Sequence, residues 1–329
     1  MAELNGWVGH HGRNRCQLLC SMPGRHKPGA GTYYPAMLKP HAAALPSGSG
    51  HSDININLIT TPSPDEYDKR LCHVLGSTSI CEYKCHYKET GICKQSIVSV
   101  LPKSIPVPKC FPADTMHLFA LNISQLLIAL WRGSINHAQE DDPTTWPFAI
   151  LHDNAVWQVH GGSVAGAGLY LPVCLESRVP RNPAEKISSG YKAVEYLVYI
   201  FGLCPALLYH LLPQSFYYHF CKLVFGTRVI HRRHKSKDNL MAAHRAFLKF
   251  VYEFEILYYK CKLMRLHFMQ PCIHALTHII PEHLCLGSLT ELSQWTMERT
   301  IGNLGEEIWL HADPYADRKS TRLNSSHVD

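Results

Sequence analysis

The sequence predicts a mainly helical protein, and three observations carry that reading. The segment 242–266, AAHRAFLKFVYEFEILYYKCKLMRL, is long, amphipathic and free of Gly and Pro. A second run follows Asp114, with Leu118, Leu121, Ile123, Leu126, Leu127, Leu130 and Trp131 apolar at helical spacing. From residue 113 onward most remaining stretches carry the same period and lack strand-like alternation.

Taken in order, residues 1–45 are rich in Gly, His and Cys and read as turns, and residues 46–66, with Pro, Ser and Gly, read as a linker. One or two short helices are expected within 67–91. Prolines hold SIPVPKCFP (104–112) extended. The next helix should run from Asp114 to about Arg132, with Asp114 as N-cap and Gly133 as stop. Further helices are expected near 148–168, 183–203, 205–224, 238–266, 270–280 and 290–305. The most apolar stretch, 193–213, contains Glu195 and Pro205 and reads as two buried helices rather than a membrane span.

The 329 residues are 46% apolar and 18% charged, a globular composition with a sizeable core. The net charge of +6 permits nucleic-acid contact without arguing for it. The 13 cysteines are scattered and no apolar leader precedes them, so thiols are expected free or metal-bound. No Walker loop, dinucleotide Gly fingerprint or G-x-S-x-G is present, which leaves nucleotide hydrolysis and serine-hydrolase chemistry without support.

Five constellations remain. Asp114 and His117, at i and i+3, share a helix face, and spacing alone makes them a cap and its neighbour. Glu298, in WTMERTIG, lies on the side of Trp295 and Gly302. It reads either as exposed beside Arg299 or as buried and placed for a divalent cation. Ser293 is a candidate cap, and Trp295, Ile301 and Leu304 are candidate core residues. Cys16 and Cys20, spaced C-x₃-C with His10, His11 and His26 nearby, suit tetrahedral Zn²⁺, with Cys16, Cys20 and His26 as the ligand set. Cys272, His274, His278, His283 and Cys285 crowd a second stretch. Here His274 and His278 share a helical face, and core or capping roles are the expectation. Arg232, Arg233 and Lys235 belong to a basic run, RVIHRRHKSKD (228–238), suited to phosphate backbones; GRHKPG (24–29) is a smaller case.

Four stretches in this order, GRHKPGAGTYYPAMLKP, DTMHLFALNISQLLIALWRG, PRNPAEKISSGYKAVEYLVYIFGLCPALL and IHALTHIIPEHLCLGSLTELSQWTMERTIGNLGEEI, resemble transposase-derived proteins of mushroom-forming fungi related to CACTA (En/Spm)-type DNA transposases. The likeness spans about residues 6–316. It implies an RNase H-like core with a helical insertion, in which two Asp and one Glu hold two Mg²⁺ or Mn²⁺ ions for phosphodiester attack. Asp114 and His117 would then fill the family's D-x-x-H motif, and Glu298 the place of the third acid. The family's C-x-x-C is matched loosely by Cys16 and Cys20.

The resulting fold class is mainly α: a helical insertion attached to an incomplete RNase H-like α/β core. Its parts would be a Gly/Cys/His-rich segment with a zinc knuckle (1–45), a linker with short helices (46–103), the last core strand and D-x-x-H helix (104–133), the insertion (134–290) and a core helix bearing Glu298 (291–316). Residues 317–329, with Leu323 as their one sizeable apolar side chain, are expected not to pack and resemble translated adapter sequence. The family's first two Asp residues belong ahead of GWVGHHG, and Asp53, Asp65 and Asp68 lie in or beside the linker. The expectation is therefore a truncated, inactive transposase remnant, nuclear, with weak DNA affinity, no bound Mg²⁺ or Mn²⁺ and a poorly ordered first 110 residues. The alternatives are a domesticated, non-catalytic DNA- or protein-binding helical module, or a zinc-binding module.

Overall fold

The computed structural model describes residues 2–41, 50–99, 101, 105–171, 179–187 and 190–307. It is 55% helix and 2% strand, as the sequence predicts for a mainly α protein. Among the described residues the only sheet is one antiparallel hairpin, β1 (Arg25–His26) with β2 (Tyr33–Tyr34).

Two helices occupy the stretch around 67–91, α1 (Pro64–Leu75) and α2 (Ile80–Thr90). Each begins where a serine hydroxyl accepts a backbone N–H, Ser63 from Glu66 and Ser79 from Glu82. Gly91, at φ +78°, ends α2 in the left-handed conformation that glycine adopts most easily. Residues 107–110 form a turn rather than the expected strand, and Val107 is buried there against a small cluster with Trp7, Leu19, Tyr67 and Leu71.

The helix after Asp114 starts as a π-helix, Met116–Ile123, and continues as α3, Ser124–Trp131. In its wide turn the Ser124 hydroxyl donates to the Phe119 carbonyl at 2.8 Å. Helix α4 (Asn154–Gly166) is capped by Asp153, which accepts from Ala155 and Val156. The stretch 193–213 differs from the expected pair of helices. Ala193–Leu197, the π-helical Val198–Leu203 and Cys204–Leu207 follow one another directly. Pro205 is accommodated because it stands in the first turn of the last piece, where its missing N–H costs least. Glu195 is buried and paired with Arg181 Nε and Nη2, each at 2.7 Å.

Helices α5 (Gln214–Ile230) and α6 (Lys237–Phe254) form the central hairpin. They approach closely at Gly226, where a Cβ would stand 2.5 Å from the Phe247 ring. Around them Phe119, Trp131, Phe148, Tyr199, Phe220, Phe250, Phe254, Tyr258 and Phe268 make an aromatic core. The chain finishes with α7 (Pro271–Ala275), α8 (Ile279–Leu286) and α9 (Trp295–Glu307). Helix α9 is more superficial than expected: Ile301 is 54% exposed, and Trp295 and Leu304 are half-buried. Ser293 donates to the Thr290 carbonyl, while the N–H of Gln294 goes to Asp114.

The first forty residues, expected to lack order, are stapled to the helical body. Cys16, Leu18, Cys20, Met22, Ala36 and Met37 belong to the main core. Glu255, itself buried, accepts the backbone N–H groups of Met37 and Leu38 at 2.6 and 2.7 Å. The buried Arg25 guanidinium donates to the carbonyls of Ala36, Met37 and His51. Among the described residues no helix is long and apolar enough to cross a membrane.

Candidate metal centre and the adjoining acidic edge

Cys16 and Cys20 lie on a tight turn in which the Leu19 N–H bonds the Cys16 carbonyl at 2.9 Å. Leu19 has φ +52°, a left-handed conformation that strains a branched side chain, and it turns the chain between the two thiols. The Leu19 side chain is buried beside Trp7, Tyr67 and Leu71, and its carbonyl accepts from Arg70, so packing offsets that strain.

The thiols face histidines from the far end of the chain. Cys16 Sγ is 3.4 Å from His278 Nε2, Cys20 Sγ is 3.3 Å from His274 Nε2, and the two Nε2 atoms are 3.2 Å apart. All four side chains are buried, and their four ligand atoms lie within 4.8 Å of one another. Tetrahedral zinc, with bonds of about 2.3 Å to sulfur and about 2.0–2.1 Å to nitrogen, sets its ligand atoms about 3.3–3.8 Å apart. Three of the cluster's separations, 3.2, 3.3 and 3.4 Å, are close to these, and its donors make a Cys₂His₂ set. It can hold a metal ion, and among the described residues no other group of three or more Cys, His, Asp or Glu does so.

The electrostatics favour a thiolate at Cys16. A hydrogen bond from the Cys20 thiol, aided by His278 and His274, pulls Cys16 well below the ordinary thiol range despite its burial. Cys20 is correspondingly pushed up. Burial opposes charge on His278, but the neighbouring Cys16 outweighs it and raises that imidazole. One turn beyond His278, Glu282 is buried, and that burial lifts its carboxyl to about 7. Its Oε2 accepts the Ala113 N–H at 2.7 Å, linking α8 to the residue before Asp114.

Asp114 and His117 are brought together, and Glu298 joins them at the edge. The Asp114 carboxylate accepts the N–H groups of Met116 and His117 at 3.2 Å each and that of Gln294 at 3.0 Å. It thus caps one helix and fixes the approach to another. His117 Nδ1 bonds Asp114 Oδ2, and its Nε2 is 4.0 Å from Glu298 Oε1. Glu298 is half-exposed, so the reading that buries it among aromatics fails. Asp114 and His117 line both a cavity of about 170 Å³ over the Cys–His cluster and an open cleft of about 640 Å³ beside Phe111 and Leu292.

His26 is not with Cys16 and Cys20. It sits on β1, its ring 4.9 Å from that of Tyr33. His10 packs edge-on against Trp7, and His11 faces the Thr32 hydroxyl. The two ligand pairs are each visible in the sequence, but nothing in it joins residues 254 and 262 positions apart. In the basic run, Arg232 and Arg233 are exposed, whereas half-buried Lys235 donates to the Ser288 hydroxyl at 3.1 Å. Arg228, itself exposed, donates from Nε and Nη2 to the Phe201 carbonyl.

No protein-family model, curated protein or solved structure matches the chain.

Proposed function

We propose that this chain is a transposase-derived, DNA-binding helical protein whose N- and C-terminal parts are clamped by a structural zinc ion on Cys16, Cys20, His274 and His278. The observation that carries the DNA-related half is the meeting of His117 and Glu298, 181 positions apart, at 4.0 Å. The resemblance to CACTA-type transposases pairs these same two positions. The RNase H-like core, the nuclear location and the DNA partner all belong to this proposal.

With a closed shell of four protein ligands, the zinc would have no open position for water or substrate, so its part is structural. Glu298 is a free carboxylate beside the D-x-x-H pair. Two-metal cleavage requires further carboxylates to hold both ions, and Asp53, Asp65 and Asp68 do not join it among the described residues. Asp53 instead accepts the Lys39 N–H at 2.6 Å and faces Arg25. The activity proposed for this chain alone is therefore DNA binding without cutting, through Arg232, Arg233 and neighbouring basic groups.

The test is fluorescence anisotropy of a labelled duplex with the purified chain across a salt series. Affinity should fall with log[salt]. When Arg232, Arg233 and Lys235 become Gln, the slope should shrink by about 0.9 for each phosphate no longer neutralised. Binding that ignores both salt and these substitutions refutes the DNA reading. Mg²⁺-dependent cleavage abolished by Glu298→Ala refutes the non-cutting part.

A further inference from the structure

The hairpin β1–β2 forms the floor of a second cavity, away from the Cys–His cluster, of about 210 Å³. Its lining includes Arg13, His26, His51 and Lys88, and no carboxylate. These four come from separate places: the N-terminal loop, β1, the segment after residue 50 and the last turn of α2. The construction is specific. The Gly24 N–H bonds the Arg13 carbonyl at 2.6 Å, holding the loop to the hairpin, and a Cβ on Gly24 would stand 2.8 Å from Tyr33 Cβ. The Tyr33 ring lies between His26, 4.9 Å away, and the Lys88 ammonium, 6.0 Å from its centroid.

The charges are uncompensated. Neither Arg13 nor Lys88 pairs with a carboxylate among the described residues, while other cations of the region are already engaged. Arg25 donates to backbone carbonyls, and Lys27 donates to the Met264 carbonyl at 3.0 Å. His51 Nδ1–H donates to the Ser52 carbonyl at 2.7 Å, and its enclosed Nε2 has no hydrogen-bond partner of normal geometry among the described residues. Burial chiefly, with the charges of Arg25 and Arg13 added, holds this imidazole below its ordinary range.

We propose that this pocket binds a phosphate group, with Arg13 and Lys88 as the cationic jaws and His26 as a ring N–H donor, His51 joining as a donor once the bound anion protonates its Nε2. A fork-shaped guanidinium, an ammonium and ring N–H groups around one cavity match the several acceptor oxygens of a tetrahedral dianion. A carboxylate ligand would leave part of this donor set idle. The pocket is open to solvent and its two strongest cations are exposed, so a phosphate carried on a larger molecule can enter as readily as a free one. The site does not depend on the DNA reading. Inorganic phosphate and the backbone of a nucleic acid share the chemistry it recognises.

Calorimetric titration of the full zinc-loaded chain with inorganic phosphate, at constant ionic strength in chloride, tests the proposal. One saturable site per chain is expected, weakened at least about tenfold in the double variant Arg13→Gln/Lys88→Gln. Because both side chains are exposed and form no ion pair, the far-UV circular dichroism should not change; His51→Phe, which removes the ring nitrogens and keeps a planar ring, should weaken binding too. The absence of saturable binding, or equal binding by wild type and double variant, overturns the proposal. A duplex titration distinguishes the two sources. A salt slope smaller by about two counterions in the double variant assigns the site to a nucleic-acid backbone. An unchanged slope with phosphate binding abolished assigns it to a free phosphate and leaves the site standing. The Arg232/Arg233/Lys235 variant should bind inorganic phosphate normally, so failure of the DNA reading is seen separately.

Discussion

Cys16 Sγ stands 3.4 Å from His278 Nε2, and that single approach joins the N-terminal turn to the start of α8. Cys20 and His274 repeat the relationship one step along each segment, at 3.3 Å. The metal-binding geometry is therefore a property of the whole fold rather than of a local finger.

Metal analysis of the purified chain should find about one zinc per molecule, and Cys16→Ser or His278→Ala should abolish it. Zinc binding to such sets releases thiol protons, so acidification should expel the ion. Chelation should lower the melting temperature by roughly 4 °C or more, corresponding to a loss of about 3 kcal/mol. A chain that melts at the same temperature with and without chelator does not use the site structurally.

Asp114→Ala removes the acceptor for three backbone N–H groups, two ahead of α3 and one ahead of α9. The expected cost is about 1–2 kcal/mol in urea denaturation. Glu298→Ala, which deletes a half-exposed group with no hydrogen bond to those amides, should cost under about 0.5 kcal/mol. Equal losses from the two would remove the capping role given to Asp114.

Burial raises the Glu255 carboxyl from 4.5 to about 7, although the Met37 and Leu38 amides work against the shift. Between those values the folded state holds a proton that the unfolded chain has released. Its contribution is therefore lost as pH rises from about 4.5 to 7, by on the order of 3 kcal/mol. Glu255→Gln should remove this falling component whatever it does to absolute stability. The check is the difference in slope between variant and wild type across that window, measured by denaturant melts at several pH values.

Asp141 and Arg265 are both buried and bonded to each other, with Arg265 set against the rings of Trp146, Phe148 and Phe268. Burial raises the carboxyl and Arg265 lowers it, and the guanidinium prevails. Removing one partner strands the other, so Asp141→Ala should cost about 3–5 kcal/mol. An Asp141→Leu/Arg265→Met pair should recover much of that loss, as thermal melts would show.

Helix periodicity makes most of the helical body legible. The Asp114 helix, the two helices α1 and α2, and α6 as far as Phe254 follow from local pattern, but the helix expected over 238–266 passes into a π-helix at Glu255–Tyr259 and breaks at the left-handed Lys260 and Cys261. What the pattern misses has a physical cause in each case. The turn at 107–110 contains Pro108 and follows Pro106, and these prolines bar a helix but serve a turn as well as a strand. The first forty residues carry little periodic signal, because their order comes from backbone groups held by Arg25 and Glu255, an arrangement no local window contains. The site is half legible: Cys16 with Cys20, and His274 with His278, each announce a ligand pair. Their pairing across the chain is not encoded in spacing, and nearness in sequence favours His26 in error. The meeting of Asp114 and His117 with Glu298 is expected from resemblance alone.

The separation of those ligand pairs has a consequence in time. With His274 254 positions after Cys20, a ribosome adding about 5–20 residues per second makes the cysteines roughly 10–50 s before the histidines. During that interval two thiols emerge without their imidazole partners and depend on a reducing environment or a metal carrier. Metal capture at this cluster would then follow the synthesis of His278, 262 positions after Cys16.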